Sequence, residues 1–223
     1  MSETTETGQG YNYLTLPEAR FLDAVAARLI PADELGPGGK EAGVTQYIDG
    51  TLGSVWGSHG RNYRQGPWVE GTPYQGFQSR LTPREIYRTG IRETNLHCQK
   101  EHQKPFDQLA PREQDEVLKG LEGGRIELPS VSAKLFFGLL LRNTMEGFFA
   151  DPIYGGNRDK VGWRLIGFPG VPPSNYNDLI DEHNVPYRVE PVSILDIQQG
   201  RVKLDSQGLP KHVRLGDAEQ INE

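Results

Sequence analysis

Leu135-Phe136-Phe137-Gly138-Leu139-Leu140-Leu141 is the stretch that decides the fold. Set on a helical period, its apolar side chains fall almost all round the axis. A helix apolar on every side belongs at the centre of a packed body. It is also far shorter than the ~20 apolar residues a membrane span needs, so the run reads as core. Ser130 offers a start, and a buried central helix is expected over about residues 130–149.

Working outward, helix starts are written plainly. Leu14-Thr15-Leu16-Pro17-Glu18 is a capping box: Thr15 accepts from the N3 amide, Glu18 reaches back, Leu14 staples, and Pro17 suits the first turn. Leu22, Val25, Ala26 and Leu29 then recur at helical spacing until Pro31. Leu81-Thr82-Pro83-Arg84-Glu85 repeats the device and opens a helix through about Gln103. Leu109-Ala110-Pro111-Arg112-Glu113 repeats it without a capping side chain, a loss of about 1 kcal/mol; that helix runs to Leu121 and stops at Gly123-Gly124. A further helix is expected over residues 40–56, with Val44, Tyr47, Ile48, Leu52 and Val55 on one face. Residues 57–78 and 151–173 are loops rich in Gly, Pro and aromatics. The tail from Val185 onward has short β-like pieces such as 193–197. The expected fold is therefore mainly α: one compact helical domain over 1–223, with long Gly/Pro/aromatic-rich loops. Residues 1–12 are expected to be flexible, and 176–223 an extended, irregular tail wrapping the body or a partner.

Composition excludes several functions. The 27 glycines and 16 prolines among 223 residues point to long structured loops, not to disorder. A net charge of −6 argues against nucleic acid and an anionic membrane surface as partners. One cysteine, Cys98, excludes an internal disulfide and leaves no thiolate set for zinc, an iron–sulfur cluster or c-type haem. Cys98 is either a half-buried helix thiol or half of a bridge to another chain. The first ten residues carry no apolar leader and no twin arginine, which taken literally means cytoplasm unless a leader has been removed.

Candidate chemistry is sparse. Glu93, His97 and Glu101 line one helix face with His102 beside them, either an acid/base or metal cluster or a solvated face; the solvated face is the preferred reading. Residues 35–40 resemble a phosphate loop only faintly, because Glu34 and Glu41 stand where GxxxxGK[ST] needs Gly and Ser or Thr. No GxGxxG or GxSxG occurs, and Asp178, Asp181 and His183 read as surface chemistry. The strongest local character lies in residues 143–163: a helix end, an Asp-Pro turn, Gly155-Gly156-Asn157, and a short amphipathic piece holding Trp163. Arg158, Asp159 and Lys160 are expected to pair with Glu146 or Asp151. The segment is a docking loop or a self-packed Ω-loop.

Residues 146–157, Glu-Gly-Phe-Phe-Ala-Asp-Pro-Ile-Tyr-Gly-Gly-Asn, followed by Trp163 and Ile166-Gly167-Phe168-Pro169-Gly170, resemble the signature of gluconate 2-dehydrogenase subunit 3. Residues 29–38, Gln65-Gly66-Pro67-Trp68 and Tyr74-Gln75-Gly76-Phe77-Gln78 extend the resemblance over roughly 13–175. It implies the non-catalytic small, or gamma, subunit of a membrane-associated, flavin-dependent gluconate 2-dehydrogenase-type complex. It further implies partners: a large FAD-bearing subunit and a multihaem cytochrome c, with electrons passing towards quinone. FAD and haem c then sit in those partners, and this chain carries no cofactor and no catalytic or metal residue. The small subunit would stabilise the FAD subunit and support its twin-arginine export. On that reading the location is the periplasm, membrane-associated through the partners, with the leader absent from this sequence. Docking residues are expected at Trp68, Tyr74, Phe77, Tyr154, Asn157, Arg158 and Trp163, with Cys98 a candidate interchain bridge. The alternatives are a self-standing enzyme using Glu93, His97, His102 and Glu146, or an export chaperone that leaves after delivery.

Overall fold

The computed structural model describes residues 10–69, 71, 72, 75, 79–171, 188–204, 206, 208 and 210. Eight α-helices order the described chain: α1 Leu16–Leu29, α2 Val44–Gly53, α3 Val55–Ser58, α4 Pro83–His102, α5 Pro111–Gly123, α6 Ala133–Phe149, α7 Val161–Ile166 and α8 Ile194–Gln198. Single 3-10 turns lie at Phe106–Gln108, Pro152–Tyr154 and Arg158–Lys160. The fold is mainly helical; among the described residues β pairing is limited to isolated bridges. No helix of the described residues is long and apolar enough to cross a membrane. The chain gathers into two compact units. The first takes the described residues of Met1–Arg28 and Ile48–Leu140, the second those of Leu29–Tyr47 and Leu141–Glu223.

In the first unit the helix starts form as their sequences dictate. The Thr82 amide donates to Glu85 Oε2 at 2.7 Å while the Glu85 amide donates to Thr82 Oγ1 at 3.3 Å. Thr15 and Glu18 make the same pair at 2.8 and 3.5 Å. At Ala110 only the reach-back survives, its amide donating to Glu113 at 2.9 Å. α5 stops where Gly124 turns left-handed at φ 68°. Just ahead of α1, the buried Asp49 carboxylate accepts the amides of Asn12, Tyr13 and Leu14 at 2.8–2.9 Å, which fixes the chain's entry.

The core of this unit is aromatic. Phe21 lies 4.8 Å from Phe106, and Tyr87 meets the Phe136 ring edge-on at 5.9 Å. All four are fully buried, each contributing roughly 1.5–3 kcal/mol through burial. The Tyr87 hydroxyl keeps a partner by donating to the Leu139 carbonyl at 3.1 Å. Gly90 lets α4 come close: a Cβ there would fall 2.5–2.7 Å from three atoms of the Phe136 ring.

Several expectations are corrected. The helix expected over 40–56 starts at Val44 and breaks at Gly53, because the Ser54 hydroxyl accepts the Trp56 amide at 3.1 Å and caps a new helix. Val55 therefore leaves the buried face of Val44, Ile48 and Leu52 and is exposed. α6 begins at Ala133, not Ser130, with Ser132 accepting the Leu135 amide at 3.3 Å. It is the core helix through Phe136, Leu139, Leu140 and Phe148, while Lys134, Gly138, Leu141, Arg142 and Met145 form an exposed strip. Residues 193–197, expected to be β-like, are the cap and body of α8: the Ser193 and Asp196 side chains each accept the other's amide, at 3.0–3.1 Å.

Gly90→Ala tests the α4 packing. Ala is favoured over Gly by ~1 kcal/mol in a helix interior, yet the crowded Phe136 ring should make this variant less stable by about 1–3 kcal/mol. Urea unfolding followed by fluorescence measures it, and a more stable variant would contradict the contact.

Candidate functional site

The second unit is built around the segment of strongest sequence character. After α6 the chain reverses at Ala150-Asp151-Pro152 and comes back over the helix it has just left. Gly156 passes so close to the last turn of α6 that a Cβ would sit under 3.0 Å from the Gly147 carbonyl oxygen. Asn157, 0% exposed and left-handed at φ 46°, pins the return. Its side-chain amide donates to the Ala150 carbonyl at 2.8 Å, and its carbonyl oxygen accepts the Gly162 amide at 2.8 Å. Asn tolerates this backbone region better than most residues. Trp163 then turns inward: it is 4% exposed, its indole N–H donates to the Phe149 carbonyl at 2.6 Å, and its ring meets Phe168 edge-on at 5.1 Å. The Arg158 amide donates to the Ala42 carbonyl at 2.9 Å, tying the loop to the turn ahead of α2.

Residues 188–201 close over this loop. Asp151 serves two segments, one carboxylate oxygen accepting the Ile153 amide at 3.0 Å and the other the Ile194 amide at 2.7 Å. Val171 and Val192 are joined by the Val171 amide donating to the Val192 carbonyl at 3.0 Å. Lys160 does not pair with Glu146 or Asp151 as expected; its ammonium reaches Asp196 at 2.9 Å and Glu190 at 3.4 Å. Arg164 holds Glu190 at 2.5 Å and Arg201 holds Asp196 at 3.0 Å. Burial pushes the Asp196 carboxyl up, but the hydrogen bonds from Lys160 and Ser193 outweigh it and hold the group below the usual carboxylate range.

The expected docking residues therefore separate. Trp163 and Asn157 are structural and present no surface to a partner. Tyr154, 62% exposed, Arg158, and Trp68, 39% exposed, face outward. Tyr74 and Phe77 lie outside the described residues, as do Asp178, Asp181 and His183. Cys98 is fully buried, not half-buried, and burial pushes its thiol up to about 11. A bridge to another chain would require α4 to open around it.

Of the residues weighed for catalysis, His97 is half-buried on α4 and the others are engaged by other groups. Glu93 is buried and accepts the Ser130 amide at 3.1 Å, holding the approach to α6. His102 pairs with Glu113 at 3.4 Å, Glu101 with Lys100 at 3.8 Å, and Glu146 accepts from Tyr47 at 3.3 Å and from Asn143 at 2.9 Å. Among the described residues no group of three or more His, Cys, Asp or Glu side chains could hold a metal ion. Residues 33–39 form a turn, Asp33 and Gly36 exchanging amide bonds at 3.1 Å. The sequence reading missed the outward-facing Arg61 and Tyr63, and the exposed apolar group Leu165, Ile166, Phe168 and Val171.

Among known families, the model described as "Gluconate 2-dehydrogenase subunit 3" matches residues 17–170. The match covers more than half of the chain, and the protein belongs to that family. Neither the curated proteins nor the solved structures give a match.

Two outcomes test this geometry. Asn157→Ala leaves buried peptide groups unpaired and should destabilise the second unit by about 1–3 kcal/mol, read by thermal unfolding. The depressed Asp196 carboxyl contributes stability above the unfolded carboxylate pKa and loses it as pH falls through the lower folded value, so the 188–201 closure should loosen below about pH 4. Hydrogen exchange of those residues against pH measures this, and Lys160→Met should flatten the profile.

Proposed function

We propose that this chain is the non-catalytic gamma subunit of a membrane-associated, flavin-dependent gluconate 2-dehydrogenase-type complex. It binds and stabilises the large FAD-bearing subunit and supports that subunit's twin-arginine export. A multihaem cytochrome c completes the complex, which works in the periplasm and meets the membrane through those partners. The observation that carries the proposal is family membership across residues 17–170. Two features of the structure support it. Glu93, His102 and Glu146 are each engaged by another group of this chain, and Trp68, Tyr154 and Arg158 stand outward on pinned loops, the residue types that anchor interfaces.

Co-expression with the flavoprotein subunit tests the proposal. The purified complex should contain both chains in fixed ratio and show flavin absorbance, while this chain alone is colourless and inactive. Turnover by the isolated chain would establish the enzyme reading instead; loss of the chain from the mature complex would establish the transient chaperone. Trp68→Ala or Tyr154→Ala should weaken association about tenfold, ~1.4 kcal/mol, without changing the unfolding midpoint. Trp163→Ala should lower the midpoint itself, since it removes a buried indole.

A further inference from the structure

The segment from Gly50 to Val69 contains no Asp or Glu, in a chain with 30 acidic residues and a net charge of −6. The structure turns this run into a surface of one composition. Val55, Trp56, Tyr63, Trp68 and Val69 are all exposed, Tyr63 to 84%. Arg61 and Arg80 are also exposed, and the half-buried Arg64 reaches both the Trp68 ring and the Arg80 carbonyl. Among the described residues none of these three arginines makes an ion pair with a carboxylate. Glu85 is engaged by the amide and hydroxyl of Thr82 at the start of α4, which lower its carboxyl, and the Arg64 charge helps to hold it down.

The surface is also held still. Arg64 donates to the Arg80 carbonyl, lies 3.0 Å from His59 Nδ1, and places its guanidinium 5.6 Å from the centre of the Trp68 ring. Burial and the Arg64 charge both push the His59 ring down, so it stays neutral and can accept. Arg84 anchors the start of the segment on the carbonyls of Leu52 and Gly53, at 2.5 and 2.7 Å. An immobilised surface loop loses little entropy on binding.

We infer that this arginine–aromatic face, residues 54–69 with Arg80, docks onto an acidic patch of a partner protein. Tyr, Trp and Arg without Lys is the composition enriched at protein interfaces, and the guanidinium fork matches a carboxylate geometrically. Three arginines that make no carboxylate ion pair among the described residues, on an acidic chain, give a partner's carboxylates a steering target. The inference rests on the proposed function, in that the partner is taken to be the flavoprotein subunit, and it adds the charge of the surface contacted.

Binding of the purified chain to the flavoprotein subunit, followed from about 50 to about 300 mM salt, tests it. The wild-type dissociation constant should rise at least about tenfold over that range. Arg61→Glu, at an exposed position, should raise it about tenfold at low salt and flatten the salt dependence. Tyr63→Ala should weaken binding with the salt dependence retained. Arg112→Glu, on the exposed side of α5, is the control and should change neither. If wild type binds and Arg61→Glu matches it within twofold, the inference is wrong and the proposed function stands. If wild type captures no flavoprotein, both fall. Wild-type binding to vesicles of anionic phospholipid that Arg61→Glu abolishes would assign the face to a lipid surface instead, and overturn the inference.

Discussion

The backbone of Gly156 lies against the final turn of α6 with no space for a side chain, and the organisation of the second unit follows from that approach. A chain this close to a helix end must satisfy its polar groups locally, because unpaired buried amides and carbonyls are costly. Asn157 does so, using both ends of its amide and a left-handed backbone. Once it is fixed, α7 is aimed so that Trp163 enters the core and closes over Phe149. The signature resembled a recognition loop because it is rich in residues that interfaces use. Phe148, Asn157 and Trp163 are turned inward and make the loop rigid, while Tyr154, Arg158, Ile166 and Phe168 remain outside.

The first unit is governed by a different economy. Its aromatic cluster of Phe21, Tyr87, Phe106 and Phe136 fills the interior, and the one hydroxyl in that cluster, on Tyr87, donates to the Leu139 carbonyl. Asp49 and Glu93 are buried carboxylates with partners of their own. Asp49 takes the amides of Asn12, Tyr13 and Leu14, and Glu93 the Ser130 amide and the Arg92 guanidinium, so each charge holds a chain connection in place.

Legibility followed the range of the interaction. The boxes at Thr15 and Thr82 and the stop at Gly124 depend on residues within one turn, and they were readable as written. Ser193-Ile194-Leu195-Asp196 carried the same short-range signal, but its β-branched and apolar content suggested a strand. The break at Ser54 was missed because Val55 continued the apolar spacing while the hydroxyl that ends it looked ordinary. Burial was the harder quantity. Nothing near Trp163 says that its N–H finds a carbonyl fourteen residues earlier, and nothing near Cys98 says that its helix face is closed. The partners of Lys160 lie in a tail with no clear periodicity, where no local spacing signals them. For the candidate site, the outward Trp68 and Tyr154 were named from residue type alone, whereas Arg61 and Tyr63 became visible only when their exposure could be set beside the missing acids.

The closure by residues 188–201 separates two ideas of a domain. The family match ends at Gly170, but Asp151, Lys160 and Arg164 within it find partners at Ile194, Asp196 and Glu190 beyond it. The recognisable segment thus shares polar contacts with residues beyond its own end. Cut at its apparent boundary, it would leave a carboxylate oxygen, an ammonium and a guanidinium facing solvent where they now hold a lid. Portability is the property lost: a signature of this kind marks a lineage without marking where the chain can be divided.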